Sequence, residues 1–113
     1  MRARGRLAED AAATFLQQQG LRLVERNYQC RFGEIDLIAR EGGTLVFVEV
    51  RMRANGAFGG AAASITAAKR QKLLRTARHY LSGLARTPAC RFDAVLLSGE
   101  NAPPEWLINV FGE

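Results

Sequence analysis

The chain is 113 residues long and contains one histidine, His79, two cysteines, Cys30 and Cys90, and three prolines. With no Cys-x-x-Cys spacing and a single histidine, it offers no ligand set for a zinc ion. One disulfide remains arithmetically open. However, Met1-Arg2-Ala3-Arg4-Gly5-Arg6 is not followed by the apolar core of a secretory signal, so the expectation is a cytoplasmic protein with reduced thiols. No apolar run approaches the roughly 20 residues of a membrane-spanning helix. Repeats and low-complexity tails are absent as well.

What is there is a globular composition, 48% hydrophobic, and a length that suits one domain, residues 1–113, with its own core. Sixteen Lys and Arg stand against eleven Asp and Glu, for a net charge of +5 and a pI of about 10. A basic chain favours polyanionic partners, nucleic acid before an anionic membrane. Charge alone decides little, because many small soluble domains are basic.

Apolar residues recur at four-residue spacing over residues 7–19 (Leu7, Ala11, Phe15 and Ala8, Ala12, Leu16), which predicts a helix stopped by Gly20, with Glu9 beside the apolar stripe. Strands are predicted over 21–30, 34–40 and 44–53, the third being the most apolar and central. The stretch 55–63, rich in Gly and Ala around Phe58, reads as a mobile loop. Ser64 or Thr66 then caps a second helix running to about residue 84. A fourth strand spans 90–98, and residues 106–111, after Pro103-Pro104, form a short strand or helical turn. The order α-β-β-β-α-β plus a short terminal element defines an α/β fold, a mixed sheet flanked by helices.

The second helix has an apolar face of Leu73, Leu74, Ala77, Tyr80, Leu81 and Leu84, and a polar face of Lys69, Lys72, Arg75, Arg78, His79 and Arg86. Arg70 falls within the apolar sector. No acid occurs between Thr66 and Arg86. A purely cationic face repels itself unless it meets phosphate, so Lys69, Lys72 and Arg75, with Arg51 and Arg53, are candidate nucleic-acid contacts. Phe58 is the candidate for stacking on a base.

The most telling residues are Asp36 and Glu49. Both interrupt apolar, β-branched strand sequence, where an isolated carboxylate is costly to desolvate. Gly42-Gly43 between them is a preferred two-residue hairpin loop, and with Glu41 facing Thr44 the register sets Asp36 opposite Glu49 and Glu34 opposite Arg51. Two like charges at roughly 4.5–5.5 Å destabilise a sheet, so a divalent cation of oxygen preference, Mg²⁺ or Mn²⁺, is the candidate occupant. The alternative is a set of cross-strand ion pairs, which suits Glu34 and Arg51 but not Asp36 beside Glu49.

Asp36-x12-Glu49-Val50-Arg51, with Glu9 on the first helix, resembles the PD-(D/E)xK motif of the restriction-endonuclease-like superfamily, in the arrangement seen in archaeal Holliday junction resolvases. Gly33-Glu34-Ile35-Asp36-Leu37-Ile38, Val46-Phe47-Val48-Glu49-Val50-Arg51 and Phe58-Gly59-Gly60-Ala61-Ala62-Ala63-Ser64 more closely resemble the YraN family, nearly end to end. The resemblance implies a metal-dependent phosphodiester hydrolase fold. Asp36, Glu49 and the Val50 carbonyl would hold Mg²⁺, Glu9 would reach toward the metal or its water, and Arg51 would complete the catalytic set. It further implies DNA, in preference to RNA, as the substrate, branched or structured DNA among the forms considered, and a possible homodimer, as in junction-resolving relatives; no membrane partner is expected. The motif's final Lys is here Arg51, which cannot serve as a general base but can hold a phosphate oxygen. Lys69 would supply a movable ammonium if the second helix overhangs the site. The usual proline before the first acid is replaced by Ile35. Two rival readings stay open: a nucleic-acid-binding module without turnover, motivated by Arg51, and a protein-interaction adaptor with an ion-pair face.

Overall fold

The two faces of one central strand explain most of the architecture. In the computed structural model, which describes residues 3–52, 66–98 and 103–111, strand β3 (Thr44–Met52) has β-branched and aromatic residues on both sides and is buried through most of its length. It lies third in a five-stranded sheet of order β1-β2-β3-β4-β5, with β1 at Arg22–Cys30, β2 at Gly33–Glu41, β4 at Cys90–Leu97 and β5 at Glu105–Phe111. β3 and β4 run parallel while the other neighbours are antiparallel. A parallel pair needs a crossover, and helix α2 (Ala67–Leu81) lies in it. Helix α1 (Ala3–Gln18) precedes β1.

The order α-β-β-β-α-β-β agrees with the sequence reading, and the terminal element is resolved as a strand. Thr66 is the α2 cap, its side chain accepting the Lys69 N–H at 3.2 Å. Arg53, Phe58 and the rest of 55–63, and the alternative cap Ser64 lie outside the described residues. No helix among the described residues is long and apolar enough to cross a membrane.

Each sheet face has its own core. Val46, Val48, Leu37, Ala39, Val95 and Leu97 pack with Ala8, Ala12, Ala13 and Leu16 of α1. Leu45, Phe47, Ile35, Ile38, Phe92 and Ala94 pack with Leu73 and Ala77 of α2. Burial of each such large aliphatic side chain contributes roughly 1.5–3 kcal/mol, and this carries the polar residues of β2 and β3 into place. One expectation for α1 is corrected. Ala8, Ala12 and Leu16 are buried, but Leu7 is 69% exposed and Ala11 is exposed. The buried face has rotated toward Ala13 and Glu9, because short alanines let the helix approach the sheet along that side. Arg70, which the helical wheel set in the apolar sector of α2, is exposed.

The hairpin register is as the sequence predicts, Glu41 pairing with Thr44 and Leu37 with Val48. Gly42 alone of the two loop glycines has positive φ, 59°; this is the demand of a turn with glycine at its first central position, not of one needing two such residues.

The other side of β4 holds a buried carboxylate that the sequence does not announce. Asp93, its side chain fully buried, accepts from Arg91 Nε at 3.0 Å, Trp106 Nε1 at 2.9 Å and the backbone N–H of Asn109 at 2.9 Å. Arg91 also reaches Glu41 at 2.7 Å. Asn109 adopts φ 59° where β5 shifts register against Phe92 and Ala94, so the carboxylate pins β5 to the sheet. Asp93→Ala is expected to lower stability by about 2–4 kcal/mol, since it leaves the Trp106 and Asn109 donors without their acceptor and Arg91 with Glu41 alone. Urea denaturation checks this; a loss under about 1 kcal/mol would contradict it.

Candidate functional site

The β2–β3 ladder stops at Leu37–Val48, one step short of the Asp36–Glu49 pair, whereas β3 and β4 stay paired to Met52–Leu97. The strands part where two like charges would have been directly opposed. Where β2 leaves, the Val50 N–H loses its strand partner, and Asp36 Oδ2 accepts it at 2.8 Å. A backbone donor that would otherwise be orphaned is satisfied by a side chain.

A second irregularity lies at the same level. Leu37 and Ala39 belong to the α1-side core, but Ile35 joins Ile38 in the α2-side core, so the alternation of β2 breaks at Asp36. Across β1, the residue between the paired Arg26 and Tyr28 is Asn27, held at φ 54°. Asn is among the few residues that tolerate this region. Its side-chain amide donates to Glu9 Oε1 at 2.9 Å. Arg26 lies 3.8 Å from the same oxygen and 2.6 Å from Asp10. Thus the buried Glu9 is anchored from β1, through residues that sequence reasoning did not single out. An Asn set among strand residues was the only signal.

The parted strand ends open a cleft of about 270 Å³ lined by Ala8, Glu9, Glu34, Asp36, Glu49, Val50, Arg51, Met52 and Lys69. α1 reaches it from one sheet face and the first turn of α2 from the other. Of the predicted site residues, Glu9, Asp36, Glu49, Val50, Arg51 and Lys69 come together here. Lys72 and Arg75 lie exposed on the outer side of α2. The predicted Glu34–Arg51 facing does not follow from the ladder, which has ended before it. Gln29 donates to Glu34 at 3.3 Å.

Charge compensation in the cleft is uneven. Glu49 Oε2 meets Lys69 Nζ at 2.7 Å. Arg51 Nε lies 3.3 Å from the same oxygen, off line for a hydrogen bond, and that buried nitrogen has no hydrogen-bond partner. Asp36 has only the Val50 amide among the described residues. Burial first, then the charge of Glu49 and to a smaller degree those of Glu9 and Glu34, push its carboxyl up from 3.8 to about 7, against the opposing effect of the Val50 hydrogen bond. Burial and like charge thus make this carboxyl costly to ionise where it stands.

The donors suit a hard divalent ion: carboxylates, a backbone carbonyl at Val50, and room for water. Among the described residues no three of His, Cys, Asp and Glu converge on one point as a ready-made cage. Glu49 is turned to Lys69 and Glu9 to Asn27, so Asp36 and Glu49 are the two acids that could share an ion, whose remaining positions water and phosphate would fill.

Sheet and cleft together define an α/β protein of mixed five-stranded architecture, consistent with a restriction-endonuclease-like fold. The model of the family described as Uncharacterised protein family UPF0102 matches residues 8–97, and the chain belongs to that family, the YraN family to which the motifs point. It is 63% identical over 111 residues to a UPF0102 protein of Nitrosomonas europaea, covering 97% of this chain and 94% of that relative. It is 55% identical over 112 residues to one of Methylobacillus flagellatus, covering 98% of each. With one of Psychromonas ingrahamii it shares 51% identity over 111 residues, 98% of this chain and 91% of the relative.

The raised Asp36 carboxyl makes stability depend on pH. Between pH 3.8 and about 7 the folded protein holds a proton that the unfolded chain has released. This contribution is complete below 3.8 and is lost as pH rises through about 7. Asp36→Asn should therefore remove part of the decline and be the more stable form at pH 8, on the order of 1–3 kcal/mol. Melting curves of both proteins at pH 5 and pH 8 check this; a variant less stable than wild type at pH 8 would contradict it.

Proposed function

We propose that the chain is a divalent-metal-dependent nuclease that hydrolyses phosphodiester bonds in DNA, branched and structured forms included among the substrates to be compared. The observation that carries this reading is the juxtaposition of Asp36 and Glu49 at parted strand ends, in a cleft also lined by Arg51 and Lys69. Asp36, Glu49 and the Val50 carbonyl would hold Mg²⁺ or Mn²⁺, with Glu9 at the far wall. A bound ion there supplies charge neutralisation on the phosphate and a bound water of lowered pKa.

The chain's own groups do the rest. Arg51 carries a permanent charge and a fork of donors suited to a phosphate oxygen, which fits positioning and transition-state stabilisation and not proton removal. Glu9, oriented by Asn27, can accept a hydrogen bond from water. Lys72 and Arg75, exposed on a helix face without acids, suit phosphates flanking the scissile one.

A second reading is a nucleic-acid-binding module that retains the fold without turnover. Arg51 in the place of a titratable lysine is the observation that favours it. Gel assays of wild type and Asp36→Asn on labelled single-stranded, duplex and four-way-junction DNA, with Mg²⁺, Mn²⁺ or chelator, separate the two. The nuclease reading predicts metal-dependent cutting that falls to background in Asp36→Asn; unchanged cutting in the variant would sink it. Retarded bands with every substrate intact would favour the binding module.

Either reading predicts that changing Lys72 and Arg75 together to Gln weakens binding to all duplex sequences alike. The slope of log affinity against log salt should become shallower by about 2, one increment of about 0.9 per lost phosphate contact. An unchanged slope in fluorescence anisotropy would remove α2's outer face from the interface.

A further inference from the structure

We propose that Lys69 is a displaceable counter-cation. It neutralises Glu49 in the metal-free protein, competes with a divalent ion for that carboxylate, and on displacement becomes a ligand of the nucleic-acid phosphate. The proposal rests on the reading of the cleft as a metal site and assigns Lys69 a part in loading it.

Three observations carry it. First, Lys69 sits in the opening turn of α2, which holds no acid. A cation there opposes the helix dipole, so it needs an anion from elsewhere, and Glu49 of β3 supplies one at 2.7 Å. The contact joins α2 to the mouth of the cleft and is not internal to the helix.

Second, the pair is asymmetric. The Glu49 side chain is 9% exposed and that of Lys69 is 37% exposed. The Lys69 backbone is fixed by its N–H to the Thr66 hydroxyl, but the ammonium ends a flexible four-carbon stem with water beside it. A partly exposed ion pair is weak, so the ammonium leaves at little cost, whereas the carboxylate has nowhere else to turn. An incoming divalent ion would carry twice the charge to the same oxygen and repel the ammonium at short range.

Third, Glu49 keeps a second cation that is not free to leave in the same way. The Arg51 side chain is 30% exposed, but the atom that faces Glu49, Nε at 3.3 Å from Oε2, is itself buried, whereas Lys69 meets the same oxygen with the end of a flexible stem. Lys69 is therefore the exchangeable member of the set. Displaced, it remains at the rim of the cleft on the first turn of α2, where a phosphate oxygen would meet the ammonium and the positive end of the helix dipole together. Metal loading and phosphate capture would then be coupled through one side chain.

The test is calorimetric titration of the purified proteins with Mn²⁺ alone, without nucleic acid. Lys69→Gln should bind Mn²⁺ about two- to fivefold more tightly than wild type, the range expected from removing a partly exposed competing ion pair. Lys69→Arg, which keeps a competing cation, should stay near wild type. In Mn²⁺-containing buffer, Lys69→Gln should bind duplex DNA more weakly, with a salt slope shallower by about one contact. Melting curves confirm that each variant is folded. Unchanged or weaker Mn²⁺ affinity in Lys69→Gln would overturn the proposal while leaving the metal site standing. Failure of wild type to bind Mn²⁺ at all would overturn both.

Discussion

Two like charges cannot be paired directly in a sheet, and the cleft of this protein follows from how the chain meets that constraint. The hairpin set by Gly42-Gly43 brings Asp36 and Glu49 to one level, and the ladder ends at Leu37–Val48 just before they would meet. Parting the strands would orphan the Val50 amide, so Asp36 accepts it. It also disturbs the neighbouring pair, where Asn27 takes a left-handed conformation and turns its amide to Glu9. The opening admits α1 from one face and α2 from the other, which brings Glu9 and Lys69 to the same cleft as the strand acids. The apolar cores on both sides of β3 hold this arrangement against its electrostatic cost.

Asp36 and Asp93 show how differently one residue type can be used within one sheet. Asp93 is enclosed by Arg91, Trp106 and the backbone N–H of Asn109, every donor directed at it. It is a structural carboxylate, compensated within the fold, with little left to offer a ligand. Asp36 has a single amide donor among the described residues and acids as its other charged neighbours. What the fold leaves uncompensated is what the proposed cation would neutralise. That contrast, more than proximity of acids as such, separates a site from a salt-bridge network.

Much of the architecture could be read from the residues, because it rests on local signals. The Gly-Gly turn fixed the hairpin register, alternating Val46 and Val48 marked a face, and Ser64 or Thr66 marked the start of α2, which Thr66 caps. The terminal element was ambiguous because residues 106–111 are too few for periodicity to choose between strand and turn. Pairing with β4, a long-range contact, chose. The chain's own pattern misplaced the α1 stripe by one row, since alanine is permissive on either side and only the docking surface decides. The lining of the cleft was legible in part. Asp36, Glu49, Arg51 and Glu9 could be named, but the contact of Lys69 with Glu49 depends on how the crossover returns. The anchoring of Glu9 by Asn27 depends on a backbone conformation with no periodic signature. The Asp93 network joins residues of β4 and β5 and had no local sign.

The central claim is that the Asp36–Glu49 opening is a divalent-cation site. Its most direct test is diffraction at the manganese absorption edge from crystals grown with Mn²⁺. The account predicts an anomalous peak within coordination distance, about 2.0–2.6 Å, of both the Asp36 and Glu49 carboxylates, with the Lys69 ammonium moved away from Glu49. Crystals saturated with Mn²⁺ that show no peak in the cleft, and Glu49 still paired with Lys69, would contradict it.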